Sequence, residues 1–248
     1  MYLEALYYGN EKRDSFNPNI FKGVAHRGLH DDKRFENSLS AFKNAIDHDF
    51  CFELDIHLTT DNQLVVCHDS DLKRVTGKEG IIEELDSKTL RENYKLLDGE
   101  DIPTLQEVFD LNKERETIVI ELKVYKDNWV NIAKRLMDFL SQVKDTSKVT
   151  LISFDPRALA LCDGRKFTRG FLVCKERKEM ILFGKVFEYL DVEDSLLDDK
   201  KIIKYRKKGG IVNTWTIRDE EALNKVKGKC DFVTFENVSK QLEEDFKK

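Results

Sequence analysis

Gly23-Val24-Ala25-His26-Arg27-Gly28, Glu36-Asn37-Ser38, Phe52-Glu53-Leu54-Asp55-Ile56-His57 and Leu64-Val65-Val66-Cys67-His68-Asp69 set the reading of this chain. Histidines, an arginine and carboxylates fall at the ends of short apolar runs. Side chains alternate along a strand, so Glu53, Asp55 and His57 share one face. Two acids on one face of a buried strand need a positive partner to stay ionised. A divalent metal is the simplest candidate.

Working outward, the chain has 248 residues, near the usual size of a (β/α)8 barrel. Its net charge of −5 carries no basic excess for nucleic acid or an anionic membrane surface. An anionic substrate would then depend on local cations. The five cysteines are odd in number and contain no CxxC, which argues against a disulfide framework or a zinc site. Reduced, buried thiols in a cytoplasmic protein are expected. Met1–Asn10 lacks a basic start and a long apolar run, and no segment approaches transmembrane length.

Only three prolines and no low-complexity linker interrupt the chain, so one domain over 1–248 is expected. Strand-like and helix-like stretches alternate, as in a parallel α/β architecture. Strands are expected at 22–25, 51–58, 117–124, 149–153, 170–174, 189–192, 210–216 and 231–235, with a further short one at 64–67. Asn37 is the expected N-cap of the first helix. Asn62 sits in a turn where it accepts a positive φ. Pro103 opens a helix that runs to about Lys113. A long helix is expected over 127–143. Residues about 70–102 break the alternation, with a short helical candidate near 87–94, and read on their own as a long loop.

Barrel active sites form at the C-terminal ends of the strands, where Glu53, Asp55 and Glu121 would converge. Three oxygen ligands without cysteine match Mg²⁺, Ca²⁺ or Mn²⁺ better than zinc. The alternative for any one acid is a salt bridge. His26 and His68 flank this cluster, and histidine serves as acid or base near neutral pH. Arg27 offers a guanidinium fork to a phosphate, or pairs with a nearby acid. Lys123 is a second positive group, or a partner for Glu121 alone. Glu36 and Asn37 stand at a helix N-terminus suited to anions. His57 continues the inward face of its strand. His30 and His48 are expected at the surface. Adjacent strand residues face opposite ways, which argues against a Cys67-His68 nucleophilic dyad.

His26-Arg27-Gly28, Glu36-Asn37-Ser38, Glu53-x-Asp55, Thr60-Asp61, His68-Asp69, Glu121-Leu122-Lys123 and Asn213-Thr214-Trp215-Thr216 resemble, in order and spacing, the signature of the glycerophosphodiester phosphodiesterase family. The resemblance runs from Phe21 to about Phe235. It implies a TIM barrel with a small insertion after the second barrel strand region, covering the active site. It implies metal-dependent hydrolysis of glycerophosphodiesters to glycerol 3-phosphate and an alcohol. Glu53, Asp55 and Glu121 are then the ligands of one divalent cation, and His26 and His68 the acid–base pair, with His26 the base by analogy. Arg27, Lys123, Trp215 and Glu36 are then substrate-binding, Trp215 against glycerol carbons. The partner is a small molecule, with no nucleic acid and no stable membrane anchor.

Four departures stand out. Phe35 replaces the proline before Glu-Asn, Asp49 falls near a lost glycine, and Asn62 replaces a turn glycine. The late Thr-Asp-x-Pro becomes Thr234-Phe235-Glu236-Asn237, which bears on the loop closing the barrel. None removes a ligand or a histidine. Two other readings remain: a lysophospholipase D or sphingomyelin-cleaving relative on the same barrel, and a catalytically silent binding barrel.

Overall fold

The computed structural model describes residues 16–237, so the reading of Met1–Asn10 lies outside the described residues. Strands β1 (Val24–Ala25), β2 (Cys51–Leu58), β3 (Leu64–Val66), β4 (Ile118–Leu122), β5 (Val149–Ser153), β6 (Thr168–Val173), β7 (Tyr189–Glu193), β8 (Ile211–Ile217) and β9 (Phe232–Phe235) form one sheet. Eight of them are parallel. The sheet closes because β1 pairs with β2 on one side and β9 on the other. The exception is β3, which returns antiparallel along the upper half of β2. Among the described residues this is a (β/α)8 barrel. No helix among them is long and apolar enough to cross a membrane.

Helices α1 (Leu39–Asp47), α2 (Lys73–Thr76), α3 (Ser87–Asn93), α4 (Leu105–Asn112), α5 (Trp129–Leu140), α6 (Pro156–Leu161), α7 (Lys200–Lys207) and α8 (Glu220–Val226) connect the strands. Ser38, not Asn37, caps α1: its hydroxyl accepts from the Ala41 N–H at 3.1 Å. Asn37 instead takes a left-handed φ of 57°, which frees its side chain for another partner. Thr104 rather than Pro103 opens α4, in a capping box with Glu107. Asn62 has the expected positive φ, 61°.

Inside the barrel the period of two separates two layers. Val24, Cys51, Val119, Ile152, Leu172, Tyr189, Ile211 and Phe232 form an apolar plug, closed from below by Phe16 and Ile20. Two residues further along β2, β4, β7, β8 and β9 stand Glu53, Glu121, Asp191, Asn213 and Thr234, all buried. Each strand thus carries its chain from apolar floor to polar mouth. Gly170 makes room for this plug: a Cβ there would lie 2.1 Å from Cζ of the Tyr189 ring. The outward faces of the strands pack on the helices in a separate, larger core.

Between β3 and α4, the chain folds on its own apolar cluster, including Leu72, Val75, Ile82, Leu90 and Leu96. His57 ties it to β2: Nδ1 lies 2.5 Å from Glu83 and Nε2 3.1 Å from the His68 carbonyl.

The turn after β1 is the tightest point near the mouth. Gly28 has φ 82°, and a Cβ there would meet the Ala41 carbonyl carbon and Cβ at 2.9 Å. Left-handed strain and overpacking each cost about 1–3 kcal/mol. Gly28→Ala is therefore expected to destabilise the protein by about 2–4 kcal/mol in urea unfolding.

Candidate active site

Glu53 and Asp55 rise from β2 and Glu121 from β4, and the parallel register sets Asp55 beside Glu121. The three carboxylates offer oxygens that all lie within 4.8 Å of one another, and all three are buried. Burial together with the neighbouring Asp55 and Glu121 charges pushes Glu53 well above the usual carboxylate range. Burial pushes Glu121 up to about 7, although Lys123 opposes the shift. Asp55 goes the other way. Burial works against its ionisation, but Lys123, His68 and Arg27 hold it low. Asn37, released from capping, donates to its Oδ2 at 2.8 Å.

Glu53 Oε1 is buried without a hydrogen-bond partner, while Oε2 accepts from the Arg27 backbone at 2.9 Å. A buried acidic triad, with the proton affinities of Glu53 and Glu121 raised and one unused buried oxygen, fits a hard divalent cation. Lys123 Nζ presently supplies much of the compensating charge, 3.2 Å from Asp55 and 3.0 Å from Glu121. It sits just past the end of β4, where the side chain reaches back over the cluster.

The two histidines are held alike. His26 follows β1, and its Nδ1 lies 2.5 Å from Glu236 Oε1. His68 follows β3, and its Nδ1 lies 2.6 Å from Asp69. A carboxylate only accepts, so each Nδ1 carries the proton and each Nε2 is left for the cleft. Burial lowers the pKa of both rings, while Glu236 raises that of His26 and Asp55 that of His68. In turn, Glu236 is pushed down to about 2: burial opposes this, but the bond from His26 prevails. Its other oxygen accepts from Arg218 at 2.8 Å.

Arg27 donates to Glu36 at 2.9 Å and lies 3.6 Å from Asp55. Arg74, from α2, donates to Glu36 at 2.7 and 3.0 Å and to Asp69 at 2.5 Å. Glu36 thus joins two arginines and orients Arg27. Trp215, on β8, meets Phe154 edge-on with centroids 5.8 Å apart. His26, Arg27, Glu53, His68, Glu121, Lys123 and Trp215 line one cavity of about 220 Å³.

The structure brings together His26, Arg27, Glu53, Asp55, His68, Glu121, Lys123 and Trp215, with Glu36 bound to Arg27. It also adds two. Asp191 lines the cavity, accepts from Asn213 at 2.8 Å and is pushed by burial up to about 8. A single acid within Tyr189-Leu190-Asp191-Val192, at inward parity, was the available signal. Glu236 is the second, two residues beyond inward-facing Thr234. Phe235, in place of an aspartate, is buried and packs on Phe50 at 5.1 Å. His30 is not a free surface residue: the loop after β1 folds over the mouth and sets it 4.0 Å from Glu236. His48 is half-buried because it closes α1 against the Asn44 carbonyl. Cys67 is buried with its thiol pushed by burial up to about 12, which excludes it as a nucleophile.

The chain is 35% identical over 148 residues to a glycerophosphodiester phosphodiesterase of Caldanaerobacter subterraneus, a match spanning 55% of this chain and 59% of that one. A glycerophosphodiester phosphodiesterase from Thermotoga maritima superposes with a TM-score of 0.71 at 28% identity, covering 90% of this chain and 96% of the other. The barrel is also that of an Oleispira antarctica phosphodiesterase solved with the product sn-glycerol-3-phosphate. That superposition has a TM-score of 0.79 at 22% identity, over 91% and 96% of the two chains. The model of one family matches residues 26–240, from the first histidine to beyond the last strand: this chain belongs to the glycerophosphoryl diester phosphodiesterase family.

Proposed function

We propose that the protein hydrolyses glycerophosphodiesters to glycerol 3-phosphate and an alcohol by acid–base catalysis between His26 and His68. The observation that carries this reading is the pair of imidazoles, each held through Nδ1 by a carboxylate and both lining a cavity with Glu53 and Glu121 of the buried acidic triad. His26, neutral, takes the proton of the attacking oxygen on Nε2. That oxygen belongs to water, or to the substrate's own glycerol 2-hydroxyl, in which case the first product is a glycerol cyclic phosphate that water then opens to glycerol 3-phosphate with the two histidines exchanging roles. It bonds to phosphorus as the ester oxygen of the alcohol leaves, and His68, as imidazolium, protonates that oxygen. Asp69 favours the imidazolium, and Glu236 keeps the His26 ring in register.

Glu53, Asp55 and Glu121 would hold one divalent cation, Mg²⁺ or Ca²⁺ with Mn²⁺ also suited. When bound it would supply positive charge beside the phosphoryl oxygens. Arg27 binds the phosphate, steadied by Glu36. Lys123 meets the charge that develops on the phosphoryl group. Trp215 packs against the glycerol carbons. In this reading residues 1–248 are one domain, with the 70–102 segment as an insertion beside the mouth. The free cysteines, Cys51, Cys67, Cys162, Cys174 and Cys230, suit a cytoplasmic setting.

Chelation with EDTA is expected to abolish diester hydrolysis, and Mg²⁺, Ca²⁺ or Mn²⁺ to restore it. Full turnover by verified metal-free protein would overturn the cation's role. Glu53→Gln should weaken divalent binding in calorimetry, since it removes a formal charge at nearly constant size.

His26→Ala and His68→Ala should each lower kcat by about 10²- to 10⁴-fold with folding retained. On a nitrophenyl phosphodiester, whose leaving group needs no proton, His68→Ala should recover and His26→Ala should not. Recovery of His26→Ala alone would exchange the two roles.

Glu236→Gln should lower kcat by about 10- to 100-fold with little change in KM, because the ring keeps an acceptor but loses its negative charge while substrate contacts persist. A rise in KM with kcat intact would place Glu236 in substrate binding instead.

A further inference from the structure

The cavity lined by Glu53 and Glu121 adjoins a larger one. The second chamber has a volume of about 570 Å³ and shares His68, Glu121, Lys123 and Phe154 with the first. Its outer wall comes from the segments that follow β4, β5 and β6. Those segments contribute Lys126, Arg157 at the start of α6, and Arg177, with Val124, Pro156 and Met180 as apolar ground between them. The lining carries four cations against two carboxylates.

Both carboxylates are already matched. Glu121 accepts from Lys123 at 3.0 Å. Asp155 takes the Arg157 guanidinium, with the closest approach at 2.7 Å. The excess positive charge therefore rests on Arg177 and Lys126. Arg177 is exposed, and its guanidinium has no hydrogen bond or ion pair among the described residues. Lys126 is 70% exposed, 3.6 Å from Glu84, with its Nζ over the Tyr125 ring at 4.6 Å from the centroid. Two available cations at the rim of a half-enclosed chamber focus a positive field onto whatever enters.

His68 lies on the boundary between the chambers, whereas His26 and Trp215 line only the smaller one. A group that takes its proton from His68 leaves toward the larger chamber. We propose that the larger chamber is the head-group subsite, and that it selects diesters whose alcohol carries a second anionic group, a phosphate ester or a carboxylate, recognised by Arg177 and Lys126. This assignment rests on the hydrolytic reading above and adds the class of substrate. Choline and other cationic head groups would enter against the field.

The test compares kcat/KM at low salt for three diesters: glycerophosphocholine, glycerophosphoglycerol, and glycerophosphoglycerol bearing a terminal phosphate. The phosphorylated substrate is expected to exceed the choline diester by about tenfold or more, and the advantage should shrink as salt is added. Arg177→Glu should reduce the ratio of phosphorylated to choline substrate by about tenfold or more. Lys126→Glu should move it the same way. Both side chains are exposed, so neither change threatens folding. Equal constants for the three substrates, preference for choline, or a ratio unmoved by both variants would overturn the subsite while leaving diester hydrolysis standing. No hydrolysis of any of the three by metal-loaded wild-type protein would overturn the hydrolytic reading, and the subsite with it.

Discussion

Three carboxylates in the buried mouth of the barrel are the constraint to which the surrounding residues answer. Charges there cannot be screened by water, so each acid must be matched by a cation, a hydrogen bond or a proton. Lys123 lies over Asp55 and Glu121, Arg27 reaches toward Asp55, and Asn37 donates to it. Arg27 is itself steadied by Glu36, and Glu36 by Arg74. A chain of alternating charges thus runs from the barrel interior to the segment between β3 and α4. That chain orders residues which secondary structure alone would leave free.

The barrel makes this arrangement precise because strands, unlike loops, hold a side chain through neighbours on both sides. Asp55 and Glu121 are adjacent by register. The apolar plug beneath them excludes water from below, and that exclusion gives the acids their shifted affinities. The histidines stand one step outside, on turns following β1 and β3, where their rings retain access to the cleft. Each is oriented by an acid lying close in space. One of these, Asp69, is the next residue, and the other, Glu236, comes from the far end of the chain.

That contrast marks how much was legible in advance. Glu53, Asp55 and Glu121 could be read from the sequence because i, i+2 spacing in an apolar run has one meaning on a strand. The alternation of elements likewise implied the parallel barrel. Asn37 was misread as a cap because an Asn-Ser pair offers two cap candidates. Only the left-handed turn at Asn37 decides between them. His30 was misread as exposed because nothing local shows that its loop folds back over the mouth. Glu236 was hidden in a departure from the family pattern, where the expected acid had become Phe235.

The sequence by itself determined the strand parity and the inward face of Glu53 and Asp55, because these follow from local periodicity, and the order of its motifs pointed to Glu121 and the two histidines. Tertiary structure alone decided which acid holds His26, that Asp191 joins the cavity, that Glu36 serves Arg27, and that a cation-rimmed chamber adjoins the cleft. These depend on contacts between residues far apart in the chain. Barrel closure, which joins β1 to β9, creates the first of them, and no local pattern encodes it.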